Sequence, residues 1–348
     1  MKYSIFDNVP CLYKSMLEDI KQAKKSIFLE TYIYDKDKIG AKFRDLLTKK
    51  AKQGVDVKII VDAWGAQANL SYFKELIKAG GQVKEFSKFR IKFPLFRNNH
   101  KRDHRKILLI DNKIVYVGSA NITLQCTKWR EVVVRIEGET AKYFTKVFMQ
   151  VWEKKFLQKA KEIILHFEDF TIIGDVPSHR YRPTEKEYLR LINLAKNEIL
   201  IETPYFVPTL KVYRALRMAA MRGVHVLFIT PYLSDVKILD IIKEKYFGGL
   251  YKSGVKIFYY PPNILHSKFM VVDEKYFIIG SSNIDYRSFI YQYESNLSGK
   301  NELIAKDLKN SFFNALKHCK EFNYLKWKKR PLKQKICEKF LSIFKRIL

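Results

Sequence analysis

The residues best suited to chemistry occur in two matched stretches. The first runs His104-Arg105-Lys106, four apolar residues, Asp111, six more residues, then Gly118-Ser119-Ala120-Asn121. The second runs His266-Ser267-Lys268, four apolar residues, Asp273, six more residues, then Gly280-Ser281-Ser282-Asn283. In each, His and Lys lie two apart, so on a strand they point to one face. A His beside a fixed positive charge is a nucleophile or a proton carrier, and Lys suits phosphate oxygens as a point charge. Ser and Asn beyond the glycine add neutral donors. Two such sets, one from each half of a chain, would hold a phosphoryl group from both sides, one His attacking phosphorus and the other protonating the leaving oxygen.

The surrounding elements repeat as well. The apolar run after each Lys reads as a buried strand, and each Gly-Ser pair as the turn after a second strand. Helices are expected near residues 10–25, 39–52 and 70–78, with strands near 26–34, 55–61 and 82–86 between them. Ala195 to Thr203 lines up with Ala23 to Thr31, and Arg222 to Val226 with Gln53 to Val57. The chain therefore reads as an internal duplication of alternating strands and helices, an α/β fold with mixed sheets flanked by helices. The halves are expected over 1–165 and 166–322, a long helical stretch over 139–164 closing the first. The two motifs would then meet at the junction, where pockets commonly form.

The doubled motif resembles that of the phospholipase D superfamily, H-x-K-x4-D. The finer resemblance is to bacterial cardiolipin synthases. It rests on Glu202-Thr203-Pro204-Tyr205-Phe206-Val207-Pro208, on Asn283-Ile284-Asp285-Tyr286-Arg287-Ser288-Phe289 with Glu294 behind it, and on Asn121-Ile122 with Trp129-Arg130-Glu131 behind it. The resemblance implies a phospholipase D-like fold with its active site between the halves. It implies that His104 attacks the phosphodiester and that His266 protonates the departing alcohol and then deprotonates the incoming one. Lys106, Lys268, Asn121 and Asn283 would bind the phosphoryl oxygens. Ser119 and Ser281 either join them as substrate-binding groups or serve only the turn. Asp111 and Asp273 complete the catalytic motif but read as structural, holding loop backbone. By the same resemblance Glu294 orients His104 and Glu131 orients His266, fixing each tautomer. Arg287 is placed at a second phosphate. Glu30 and Glu202 end matched strands and receive no role from sequence.

The implied activity is phosphatidyl transfer from phosphatidylglycerol to a second anionic phospholipid through a phosphohistidine. Simple hydrolysis of phospholipid, or cleavage of nucleic acid on the same scaffold, stays open as an alternative. No cofactor is called for. Cys11, Cys126, Cys319 and Cys337 form no C-x-x-C pair, and no H-E-x-x-H pattern links the seven histidines, so no metal or disulfide framework is expected.

The formal charge of +29 speaks of polyanionic partners, an anionic membrane surface or nucleic acid. No run of 18 apolar residues appears, so no transmembrane helix is expected, and the reading is a protein peripheral on the cytoplasmic face of the cell membrane. Two segments are candidates for the contact. In 87–103 basic residues alternate with apolar ones, and Lys88, Phe89, Arg90, Lys92, Phe93 and Phe96 are read as a lip meeting lipid. Residues 323–348 read as a basic amphipathic tail, Trp327, Phe340 and Phe344 lying in the interface; the alternative is a helix packed on the body. Oligomeric state stays open, and a duplication that supplies both motifs needs no dimer.

Overall fold

The computed structural model describes residues 2–86, 101–153, 163–261 and 264–342. The lip residues Lys88, Phe89, Arg90, Lys92, Phe93 and Phe96, and Phe344 of the tail, lie outside the described residues.

Each half is built on one sheet. The first has seven strands, in the order Lys2–Phe6, Val133–Glu137, Ile114–Gly118, Ile107–Ile110, Ser26–Thr31, Asp56–Asp62 and Gln82–Phe86. The second follows the same plan, with Phe269–Val272 and Tyr276–Gly280 paired antiparallel beside Glu198–Glu202, His225–Pro231 and Lys256–Tyr260. This is the mixed α/β duplication expected from the repeat.

The four-residue apolar runs after each motif Lys are explained by burial on both faces. Ile107 and Leu109 face a core shared by the two halves, whereas Leu108 and Ile110 face an outer core under helices Val9–Gln22 and Lys38–Lys52. Phe269 and Val271 enter the same shared core from the other sheet, and Met270 and Val272 face their own outer core. Helices Thr140–Trp152 and Glu302–Leu316 contribute Phe144, Val147, Leu308 and Phe312 to the shared core. A core spanning both sheets holds the motifs at a fixed spacing.

Two sequence-based boundaries move. The helix expected over 139–164 is described over Thr140–Trp152, and Ile163–Phe167 is a strand that pairs with Phe170–Asp175 in the second sheet. The division expected at 165/166 thus falls inside that strand, and the second sheet begins at Ile163. The alternating Ile163, Leu165 and Phe167 favour a half-buried strand, their side chains packing on the shared core.

The tail is not a detached device. Helices Tyr324–Lys328 and Leu332–Leu341 lie against helix Lys237–Lys252. Trp327, expected in the membrane interface, is instead half-buried on this body: its ring rests where any side chain at Gly248 would stand, and its Nε1–H donates to the Glu244 carbonyl at 2.9 Å. The indole finds both an apolar surface and an acceptor there, which an interfacial site would have to supply separately. Among the described residues no helix is long and apolar enough to cross a membrane.

Candidate active site

Each motif His is fixed by the half it does not belong to. The backbone N–H of His104 donates to the Tyr293 carbonyl at 3.0 Å, one residue before Glu294. The backbone N–H of His266 donates to the Arg130 carbonyl at 2.8 Å, one residue before Glu131. The side chains repeat the crossing. Nδ1 of His104 lies 3.1 Å from both carboxylate oxygens of Glu294, and Nδ1 of His266 lies 2.7 Å from Glu131 Oε1. With Nδ1–H given to a carboxylate, Nε2 carries the lone pair, the tautomer that a nucleophile or base toward phosphorus requires. The crossed pairing implied by the resemblance is the one the structure holds.

Two glycines make this close approach possible. A side chain on Gly118 would stand 2.4 Å from the Val132 carbonyl, and one on Gly280 would stand 2.3 Å from the Ser295 carbonyl. Each glycine thus lets its strand lie flush beside the residues that follow an orienting glutamate.

The serines after the glycines serve the same purpose and do not face substrate. Ser119 Oγ donates to the Val132 carbonyl at 3.2 Å and accepts from the Val132 amide at 3.1 Å. Ser281 Oγ donates to Glu294 Oε2 and accepts from the Ser295 amide at 2.9 Å. Both are fully buried. The substrate-binding role considered for Ser119 and Ser281 is therefore corrected: their turns face the glutamate-bearing strands, and their hydroxyls hold those strands.

Asp111 and Asp273 also work within the fold. Asp111 accepts the amides of Lys24, Lys25 and Ser26 at 2.7 to 2.9 Å, and Asp273 those of Lys196, Asn197 and Glu198 at 2.8 Å. Both sit in the left-handed region at φ 53°, which Asp tolerates better than most side chains. Each ties the hairpin after its motif to the start of the neighbouring antiparallel strand. Although they belong to the catalytic motif, their partners are backbone amides, and through these they position the motif strand.

The lysines and asparagines expected to meet phosphate are all buried. Nζ of Lys106 donates to the His104 carbonyl and Nζ of Lys268 to the His266 carbonyl, both at 2.6 Å. One donor is spent inside the motif, and an ammonium has two more. Nδ2 of Asn121 is buried with no hydrogen-bond partner among the described residues, while its Oδ1 is held by the Ile33 amide at 3.0 Å. An unpaired buried donor beside the motif suits a phosphoryl oxygen. Asn283 is buried too, with Nδ2 3.4 Å from Ser288 Oγ. Arg287 stands in the short helix Tyr286–Ile290, where its charge acts on His104 and Tyr32.

Electrostatics separate the two halves. Burial, then Lys106, Lys268, His266 and Arg287, hold His104 well below the usual imidazole range. It is neutral at pH 7, as a nucleophile must be. Burial also lowers His266, but Glu131 opposes the shift. Burial alone would lift Glu131, yet His266, Lys268 and Ser119 hold it below the ordinary carboxylate value. Glu294 goes the other way, pushed up to about 7 by burial against the pull of Lys106. Desolvation lowers Lys106 to about 7 and Lys268 to about 8.

These shifts predict a narrow bell for kcat/KM, which reports the free enzyme. Below pH of about 7 Glu294 takes a proton and releases His104; above about 7, and then about 8, Lys106 and Lys268 lose the charge that binds phosphate. Lys106→Arg is expected to carry the alkaline limb upward. An alkaline limb indifferent to that substitution would assign it to another group.

Two buried arginines escaped the sequence reading. Arg105, inside the first motif, donates to the carbonyls of Glu294 at 3.1 Å, Val147 at 3.0 Å and Asp175 at 2.9 Å. Arg130 makes a two-point contact with Glu202 at 3.0 and 2.8 Å and also reaches the Ser311 carbonyl at 3.0 Å. Ser267 of the second motif donates to the same Glu202. Glu202, left without a role by sequence, is thus the acceptor that joins the second motif to the first half. The signal available was the Arg beside an orienting glutamate, and the Arg where the other motif has Ser. Glu30, its counterpart, is fully buried 3.9 Å from Arg105, and burial with Asp103 nearby lifts its carboxyl well above the usual range.

Two histidines, each held by a glutamate of the opposite half and each followed by a buried lysine, define a phospholipase D-like site. Comparisons with known proteins carry this to a family. Residues 16–152 and 188–316 match the family described as cardiolipin synthase, PLD-like domain. A cardiolipin synthase of Clostridium perfringens (strain SM101 / Type A) is 34% identical over 352 residues, 95% of this chain and 74% of that protein. The major cardiolipin synthase ClsA of Bacillus subtilis (strain 168) is 32% identical over 353 residues, 97% of this chain and 73% of that protein. Among solved structures, phosphatidylserine synthase of Haemophilus influenzae Rd KW20 has a TM-score of 0.77 over 99% of this chain and 93% of its own, at 15% identity, a likeness of fold. This chain belongs to the cardiolipin synthase family of PLD-like proteins.

Proposed function

We propose that the chain is a phosphatidyltransferase that joins two molecules of phosphatidylglycerol into cardiolipin and glycerol. The observation that carries the reaction class is the crossed pair of His–Glu contacts. Nε2 of His104 attacks phosphorus and the bond from phosphorus to the glycerol oxygen breaks; His266 enters this step as the imidazolium, its Nδ1–H held by Glu131, and passes the proton on Nε2 to that oxygen. The headgroup hydroxyl of a second phosphatidylglycerol then gives its proton to His266 and attacks phosphorus, and the phosphorus–nitrogen bond to His104 breaks. Lys106, Lys268 and Asn121 face the charge on the phosphoryl oxygens in both steps. Atoms and protons balance with no further reactant.

The enzyme works as a peripheral protein on the cytoplasmic face of the cell membrane, where its substrate lies. Lys333, Lys335 and Lys339 are exposed on the tail, and each such charge near an anionic leaflet contributes roughly 1 kcal/mol to binding. The test is incubation with labelled phosphatidylglycerol vesicles, with and without glycerol. Cardiolipin with released glycerol, reversed by excess glycerol, is the expected result. Phosphatidic acid as the sole product would make the protein a hydrolase, and unchanged lipid would turn attention to phosphodiesters of nucleic acid.

A further inference from the structure

Helix Leu332–Leu341 is oriented opposite to an ordinary packed helix. Its inward side is polar except for Leu341 at its end. Glu338, 2% exposed, receives Nε and Nη2 of Arg330 at 2.7 Å each, and the Arg330 guanidinium lies 3.8 Å over the Trp327 ring. Just beyond it, Ser342 meets Lys245 Nζ at 2.7 Å. Its outward side carries Leu332, Ile336 and Phe340, spaced four apart and 71%, 60% and 58% exposed, with Lys333, Lys335 and Lys339 exposed beside them. A helix whose purpose was to pack on the body would turn that stripe inward. Apolar residues ringed by lysines suit an anionic lipid surface, where each finds its own complement.

The direction of the helix matters as much as its face. Trp327 sits at Gly248, and Leu341 packs with Tyr205, Leu239 and Ile242. The tail therefore runs antiparallel along helix Lys237–Lys252 and finishes near that helix's start. Immediately before that start stand Tyr232 and Leu233, both well exposed, and Asp235, which accepts from the Tyr205 hydroxyl. Tyr205 stands three residues after Glu202, which accepts from Ser267 beside His266, so Asp235 places this loop on the His266 side of the site, where its charge acts on His266 and Lys268. Across the site, Trp64 is exposed over Arg102, whose neighbour Asp103 precedes His104.

We propose that the outward stripe of the tail helix and the loop at Tyr232 and Leu233 form one rigid surface that seats on an anionic bilayer. The contact between Arg330 and Glu338 sets the angle between them, so a membrane-bound tail presses the mouth of the site onto lipid. What the mouth receives rests on the phosphatidyltransferase reading; the seating itself does not.

The test uses the full chain with the exposed thiols removed as Cys11→Ser and Cys337→Ser. Single cysteines at Leu233 or Ile336 carry an environment-sensitive dye. Vesicles containing phosphatidylglycerol should shift both probes to the blue, and vesicles of phosphatidylcholine alone should shift neither. Adding Glu338→Ala should abolish the shift at position 233 and retain it at 336. Leu341→Ala, which leaves the ion pair in place, should act in the same direction to a smaller extent and serves if the first variant fails to fold. A probe at 233 that stays in water in the docked protein, or that keeps its full shift in both undocking variants, overturns the proposal. Lipid analysis of the same samples separates the two readings: unchanged lipid would sink the phosphatidyltransferase while the probe pattern still decides the seating.

Discussion

Replacing His104 with alanine should remove turnover, by about 10⁴-fold or more, and His266→Ala should do so on natural lipid to a similar extent. The two losses differ in kind. His104 supplies the atom that bonds to phosphorus, so no leaving group can compensate for its absence. His266 supplies a proton to a poor leaving group. A phosphatidyl ester of p-nitrophenol, whose anion departs unaided, should therefore still give His266→Ala a stoichiometric burst of nitrophenol and give His104→Ala none. Stopped-flow absorbance reads this directly. A burst from His104→Ala would exchange the roles. The electrostatic asymmetry supports the order: burial, and then the cations around it, hold His104 strongly neutral, whereas Glu131 opposes the shift that burial causes in His266.

The second large effect falls on stability. Arg130→Ala removes one partner of a buried ion pair and leaves Glu202 charged in a fully buried site. Breaking such a pair costs about 3–5 kcal/mol, more than either charge contributes when both are present. The urea midpoint should fall accordingly with little change in slope. Arg130→Met combined with Glu202→Gln should recover most of the loss, since no unpaired charge then remains. If the single and double variants unfolded together, the loss would come from the guanidinium's hydrogen bonds to Glu202 and Ser311 and not from an unpaired charge. Because the amides of His266 and Ser267 both donate to the Arg130 carbonyl, residual folded protein should also lose activity as the second motif drifts.

The part of this site legible in the sequence was the part that repeats. Two motifs at equal spacing named the histidines, lysines and asparagines, and the apolar runs placed them on buried strands. What the sequence could not show is how the halves meet. The crossed His–Glu pairing entered from a resemblance, because Glu131 and Glu294 are remote from their partners along the chain. Ser119 and Ser281 looked like donors to substrate because a hydroxyl beside a motif suits either side of a strand; only the neighbouring strand showed which side is taken. Arg105 and Arg130 look like surface cations in a chain of net charge +29, and their burial depends wholly on the other half. The tail was legible as amphipathic. Its orientation was not, since an apolar stripe alone does not say whether body or membrane covers it; the polar latch through Glu338 turns it outward.

The most direct measurement is to trap the covalent intermediate and find the residue that carries it. His266→Asn should accumulate enzyme bearing a labelled phosphatidyl group, stable enough for digestion and mass spectrometry. The label is expected on His104, and lost when His104→Ala is added. Label on any other residue, or full transfer with no covalent enzyme at any time, would contradict it.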